Sequence, residues 1–441
     1  MRQLKYFFCS LFLVGFFHFS FSQSNRQLQS LHDWVKANKP AGYDSTLTYL
    51  NFISGGNLHY LSPLHQLFRE EKKFRTLFND TGYYDALSQA AAIDGDYSSA
   101  LEYQKMNYPT NLDEVSRRQI NKVIQGMKNI QHVDARRYIS FLSRNYRVVM
   151  INEAPNKPLH RAFMLSLLDD LYRKGFRYLA MEMLNNNSDH SLDKLTSLTG
   201  YYSAEPVAGE LIRTALDMGY KLVSYEDTAA YAHAPSQRDS IQARNIYKTF
   251  LADSSARMIV YAGYGHIAEK GNDNYIPMGM AFKKISGFDP LTIDQSSMTE
   301  ESDFAYGKAF YDAYMQKFPL SSPSIALVDD QPMNVTQSEL YDLTVIHPQT
   351  TYRDARPTWL NLNARRQPIY IKPSNKNTFF IQAYYQFESF GSKPGQVVPA
   401  DQTYIPTSKG NYLLYLRRGK YIIMFRDMQY KMLNTQHIEV N

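Results

Sequence analysis

Between residues 147 and 294 short apolar runs alternate with longer stretches whose apolar positions recur with helical spacing. The runs are Arg147 to Asn152, Tyr178 to Met181, Leu222 to Tyr225, Met258 to Tyr261 and Leu291 to Ile293. Such uninterrupted β-branched and aliphatic runs suit strands buried on both faces. Between them, Met164, Leu167, Leu168 and Leu171 fall at i, i+3, i+4 and i+7, as do Ala208, Leu211, Ile212 and Ala215, and Ala243, Ile246, Tyr247 and Phe250 form a third apolar stripe. Pro206 suits a helix start, and Gly175 and Gly219 suit helix stops. Strand, helix, glycine, strand at this spacing predicts crossover connections and a mostly parallel α/β sheet over residues 136–360.

Residues 23–135 carry helical periodicity instead. Two helical stretches flank Asp94-Gly95-Asp96, and Tyr97 to Tyr103 is similar to the second helix of a tetratricopeptide repeat. No second copy stands at the expected period, so the segment reads as a plain helical hairpin. From residue 366 to 441 the period changes to two. Tyr370-Ile371-Lys372, Thr378 to Tyr384, Tyr412 to Leu416 and Tyr421 to Arg426 are aromatic and β-branched runs divided by Pro, Gly, Asn and Ser, which predicts a small β-rich region.

The first residues add an expectation about export. Arg2 and Lys5, an apolar run from Tyr6 to Phe17, and Ser20-Phe21-Ser22 have the layout of a signal peptide over 1–22 without a lipid-attachment cysteine, so a periplasmic or secreted protein is expected. Cys9, the single cysteine of the 441 residues, lies inside that leader. Its removal would leave no disulfide, thiolate metal site or cysteine nucleophile. No later stretch approaches the roughly 18 uncharged apolar residues of a membrane helix. The net charge of +6 falls to +4 without Arg2 and Lys5, and the basic residues are scattered, which argues against nucleic acid as a partner. The 35 tyrosines, many near the C-terminus, suit β-sheet and contacts to aromatic or glycan ligands alike.

The strand endings carry the candidate chemistry. Glu153, Glu182 and Glu226 follow the first three runs, the fourth leads through Gly263-Tyr264-Gly265 to His266, and Asp294 follows the fifth. A strand leaving a core must become polar somewhere, so one such residue reads as a cap or turn. Five in order predict a pocket, because the carboxyl ends of parallel strands share one edge. Glu182 and Glu226, if enclosed, need partners, for which Arg161 and Arg213 are the natural candidates. His160, at the start of a helix after Pro158, is a second candidate base, because the helix dipole disfavours its charged form. Arg238, Gln242 and Asn245 lie opposite an apolar stripe and read as a solvated face. His347, at the end of another β-like run, is a further candidate.

These pieces also carry a resemblance. Val148 to Pro155, His160 to Phe163, Gly175 to Glu182, Gly200-Tyr201-Tyr202, Glu205-Pro206, Arg213, Tyr225-Glu226, Arg238-Asp239 with Gln242 and Asn245, and Gly263 to His266 together resemble the erythromycin esterase-like superfamily, which includes TIKI/TraB-type and ChaN-type haem-uptake proteins. The resemblance covers about 147–270. It implies a hydrolytic pocket with a glutamate on the first strand, a histidine two residues later, a glutamate on the second strand and a late histidine. Glu153, Glu182 and His266 match, whereas Pro155 stands at the early histidine. The resemblance makes that histidine a general base in the esterases and a metal ligand in the TIKI type, and proline offers neither a titratable group nor a lone pair.

The expectation is therefore water-mediated hydrolysis of an ester or amide, with His266 or His160 as base and Glu153 and Glu182 holding the water. Arg161, Tyr202, Glu205, Arg213, Glu226 and Arg238 would contact a small-molecule, peptide or glycan ligand. The competing expectations are a non-catalytic binding descendant and a partner-binding scaffold. No cofactor is expected. Two histidines and two glutamates are enough for zinc or manganese, but no tight H-x-x-x-H or H-x-x-E-H spacing supports a metal. A serine-hydrolase elbow and the phosphate-binding glycine motifs are absent.

Overall fold

The computed structural model describes residues 27–38, 53–54, 57–107, 112–186, 192–302, 307–333, 339–389, 396–405 and 410–441. The expected leader lies outside them. The chain divides into two compact units, Tyr108–Thr350 and the combination of Met1–Asn107 with Thr351–Asn441.

The central unit is built on a six-stranded sheet. Its strands are β1 (Val148–Glu153), β2 (Tyr178–Met181), β3 (Lys221–Val223), β4 (Met258–Gly263), β5 (Leu291–Asp294) and β6 (Leu343–Thr344). They lie in the order β6-β5-β1-β4-β2-β3, and every neighbouring pair is parallel. The uncharged centres of the runs explain this: Val148 to Ile151 and Met258 to Val260 are fully buried, as strands covered on both faces must be. Glu153 pairs with Gly263 and Met181 with Tyr261, which brings the polar endings of β1, β2 and β4 to the same edge.

Helices α1 (Pro158–Arg173), α2 (Pro206–Asp217), α3 (Pro235–Ala252) and α4 (Met278–Ser286) accompany the sheet. The first three begin on prolines, as expected for Pro158 and Pro206, whose missing N–H costs nothing in a first turn. The stripe Ala243, Ile246 and Phe250 of α3 joins Phe282 of α4 and Met150, Met258 and Val260 of the sheet in one apolar cluster. Burial of such side chains stabilises by about 1.5–3 kcal/mol each for the larger ones.

The boundaries differ from the sequence expectation of 136 and 360. The helix Glu114–Gly126 buries Ile120 and Ile124 against Tyr311, Tyr314 and Ala326, so its apolar face belongs to the central unit. The strand Gln131–Asp134 pairs antiparallel with Ser324–Val328.

In the other unit the helices Glu71–Ile93 and Tyr97–Asn107 form the predicted hairpin, turned at Gly95 with φ +78°. The C-terminal strands form a four-stranded antiparallel sheet ordered Asp401–Tyr404, Phe380–Tyr385, Gly419–Arg426, Met432–Val440, beside a two-stranded ladder of Gln367–Ile371 and Tyr412–Leu416. The hairpin and the β-rich region are one body rather than two. Arg356 donates to Gly95 O at 2.7 Å, Gln402 O at 2.9 Å and Asp401 Oδ1 at 2.5 Å, and Tyr404 donates to Asp94 at 2.7 Å. Among the described residues no helix is long and apolar enough to cross a membrane.

Candidate active site

The site at the carboxyl edge is assembled from four elements. Glu182 directly follows β2, Glu226 lies three residues beyond β3, His266 stands in the short turn Tyr264–Ile267 after β4, and Arg238 and Asp239 project from the first turns of α3. Their common centre is the guanidinium of Arg238. It donates to Glu182 Oε1 at 2.6 Å, to Glu226 Oε1 at 3.0 Å and to Glu226 Oε2, while its Nη1 lies 3.3 Å from His266 Nε2. Gln242 adds two bonds to Glu226, at 3.1 and 3.0 Å.

Backbone shape makes this convergence feasible. The Gly263 N–H donates to Glu182 Oε2 at 2.6 Å, and a Cβ on Gly263 would lie only 3.3 Å from that oxygen. Tyr264 then takes φ +39°, a left-handed conformation that is unusual for an aromatic residue and costs of order 1–3 kcal/mol. That turn delivers the imidazole to the edge.

His266 is oriented from behind. Its Nδ1 lies 2.9 Å from Oδ1 of Asp239, which is fully buried and also accepts from Tyr275 Oη at 2.7 Å and Met278 N at 3.0 Å. Nδ1 therefore carries the proton, and Nε2 keeps its lone pair toward Arg238 and the Glu182 carboxylate 3.5 Å away. Burial alone would lower the pKa of His266; the Asp239 hydrogen bond and the negative fields of Glu182 and Asp239 outweigh it and raise the pKa above the ordinary value. An imidazole so placed can accept a proton at Nε2 and present it to Glu182. Glu182, Glu226, Arg238 and His266 all keep about a fifth to a quarter of their side-chain surface, so the cluster reaches solvent.

Several sequence candidates lie beneath this cluster rather than in it. Glu153 is buried beneath the edge, where Arg161 Nε lies 3.0 Å from its Oε2 and Arg161 Nη1 lies 3.4 Å from Glu205 Oε2. The Arg161 guanidinium also donates to Pro155 O at 2.5 Å and lies over the face of Tyr202, whose ring centre is 5.1 Å away. Glu205 caps α2 by accepting from Val207 and Ala208 N–H, each at 2.8 Å. Arg213 is buried within α2, 3.7 Å from Glu210. Glu153, Arg161, Glu205 and Arg213 are thus engaged within the protein under the edge.

His160 is likewise not a base at the edge. It has no exposed surface, its Nδ1 accepts the Ala154 N–H at 2.9 Å, and its ring lies 5.3 Å from that of the equally buried His347. Burial pushes its pKa well below the ordinary value, aided by repulsion from His347 and Lys157. The polar face of α3 is the other correction. Arg238 and Gln242 turn into the carboxylates rather than to water, and Asn245 donates to Tyr225 O at 3.1 Å. Arg238 therefore takes the pairing role expected of Arg161 and Arg213. Asp239 was visible only as the neighbour of Arg238 in the motif, because nothing in the helical period marks a residue as the partner of a distant histidine.

Pro155 borders the cluster: its Cγ and Glu182 Oε2 both lie within van der Waals reach of a side chain built on Gly263. The ring offers no donor for a metal, and among the described residues no group of three or more His, Cys, Asp and Glu is placed to hold one. The residues thus do not fit the metal that the TIKI-type resemblance implies, and the positive charge at the centre of the carboxylates comes from Arg238.

No protein-family model and no curated protein matches the chain. Solved structures that match include two described as bacterial protein toxins, one at 11% identity and TM-score 0.30 covering 62% of this chain and 64% of that one, the other at 12% and 0.28 covering 63% and 64%. A third is RRSP, a MARTX toxin effector domain from Vibrio vulnificus CMCP6, at 13% identity and TM-score 0.29, covering 63% of this chain and 62% of that one. The matched regions span less than two thirds of each of these chains.

Proposed function

We propose that this protein is an exported hydrolase that cleaves an ester or amide by activated water, with His266 as general base. The observation that carries the reading is the pair formed by buried Asp239 and His266, which fixes the proton on Nδ1 and leaves Nε2 as the acceptor at a solvent-reaching edge. Water held beside His266 and Glu182 at the solvent-facing edge loses a proton to Nε2 as its oxygen attacks the carbonyl carbon. Asp239 compensates the charge that develops on the ring. Arg238 holds Glu182 and Glu226 in place and offers its guanidinium edge to the negative oxygen of the tetrahedral intermediate. The resemblance to the erythromycin esterase-like superfamily supports the same reaction class, with Pro155 removing one of its bases.

A second reading is a binding protein of the same fold, favoured by the contact that engages His266 Nε2 with Arg238 Nη1 at 3.3 Å. One screen separates the two. Purified protein is incubated with ester and peptide libraries, with and without manganese or zinc. Turnover without added metal that disappears in His266→Gln supports hydrolysis, whereas saturable binding of a library member with no turnover supports the binding reading.

A further inference from the structure

The carboxyl edge holds a second histidine oriented by a buried aspartate. Asp227 follows Glu226, its side chain is almost wholly buried, and its Oδ2 lies 2.5 Å from His233 Nδ1. As at His266, this partner places the proton on Nδ1, while the ring of His233 keeps about a quarter of its surface. The two pairs belong to one bonded chain. The Asp227 N–H donates to Glu226 Oε1 at 2.7 Å, Glu226 accepts from Arg238 Nε at 3.0 Å, and Arg238 Nη1 reaches His266 Nε2. Burial would raise the Asp227 pKa, but the His233 and Ala229 hydrogen bonds and the charges of His233 and Arg238 outweigh it and lower the pKa.

We propose, building on the hydrolytic reading above, that His233 is a second catalytic residue, the general acid that protonates the leaving group. The base and the acid are then separate imidazoles, flanking a carboxylate and guanidinium cluster. The division of labour balances. His266 Nε2 takes one proton from water as the new C–O bond forms and the carbonyl π pair moves to oxygen. When the carbonyl re-forms, the bond to the leaving oxygen or nitrogen breaks, and that atom takes the electron pair together with the Nε2 proton of the His233 imidazolium. His266 is left protonated and His233 neutral, and exchange with solvent restores both. A two-histidine site of this kind needs no histidine at position 155.

The alternative is that Asp227 and His233 only close their loop, where Asp227 also accepts the Ala229 N–H at 3.0 Å. The dependence on leaving group distinguishes the two. Wild type and His233→Gln are compared on p-nitrophenyl butyrate, whose leaving group departs without a proton, and on ethyl butyrate, whose alkoxide needs one. A general acid predicts that ethyl butyrate turnover falls by roughly 10²-fold or more while p-nitrophenyl butyrate changes by less than about threefold. Asp227→Asn, which leaves the imidazole in place without its carboxylate, should show the same selectivity with a smaller loss, and it serves if His233→Gln folds poorly. Equal losses on both esters, or no loss on either, overturn the assignment of His233 while leaving the hydrolytic reading standing. Failure of the wild type to turn over either ester overturns the assignment of His233 as acid in ester cleavage, while the hydrolytic reading stands or falls on the library screen above.

Discussion

Glu182 and Arg238 are joined at 2.6 Å across the carboxyl edge of the sheet, and the same guanidinium nitrogen also serves Glu226. One cation therefore holds two carboxylates together. Arg238→Ala should leave them facing each other, at a cost of about 1–2 kcal/mol, less than for an enclosed pair because these groups reach solvent. Urea unfolding at low and high salt checks this, since added salt should recover part of the loss and Arg238→Lys should lose less.

The triad beneath the edge should respond more strongly. Arg161, Glu153 and Glu205 are all enclosed, and burial raises the pKa of Glu153 even against the opposing field of Arg161. Arg161→Met is expected to cost about 3–5 kcal/mol by stranding two buried carboxylates. Glu153→Gln in the same chain should recover part of that, a coupling that a double-mutant cycle by chemical denaturation measures directly.

Position 155 offers a gain rather than a loss. Pro155→His would put an imidazole beside Glu182 and Gly263, where the family resemblance expects a base. If His266 alone limits the reaction, hydrolysis should rise, and base catalysis typically contributes about 10²–10⁴-fold. Steady-state rates of the variant and the wild type on one ester decide it, and an unchanged rate shows that the native site does not need that histidine.

The enclosed histidines predict an acid-sensitive fold. Burial lowers the pKa of His347 to about 3 and that of His65 to about 3, so both stay neutral in the folded protein while the unfolded chain takes up protons below about 6.5. Their contribution is complete above that pH and is lost progressively as the pH falls from about 6.5 toward 3, at up to roughly 1.4 kcal/mol per pH unit for each ring. His347→Gln should therefore flatten the pH dependence of unfolding free energy by about that slope, which denaturation at pH 7, 6 and 5 measures.

Much of the scaffold was legible because it repeats local rules. Uninterrupted runs such as Val148 to Ile151, proline starts and glycine stops each constrain their own neighbourhood, and the parallel sheet follows from their alternation. The convergence of Glu182, Glu226 and His266 followed from the shared strand edge. What the pattern could not reveal is which polar groups meet. The polar face of α3 has the same period whether it meets water or, as Arg238 and Gln242 do, two carboxylates. His160 reads as a helix-start base, yet it is buried against His347, far along the chain. The union of the helical hairpin with the β-rich end rests on Arg356 and Tyr404, contacts between distant segments that no local period encodes.

The central claim is that His266, set by Asp239, removes the proton from water. Single-turnover hydrolysis and melting temperature are measured together on wild type, His266→Gln and Asp239→Asn. The account predicts that His266→Gln folds near wild type and loses most turnover, by roughly 10²-fold or more, and that Asp239→Asn loses turnover because Nδ1 no longer has a carboxylate partner. A His266→Gln protein that melts earlier but hydrolyses at the wild-type rate per folded molecule would contradict it.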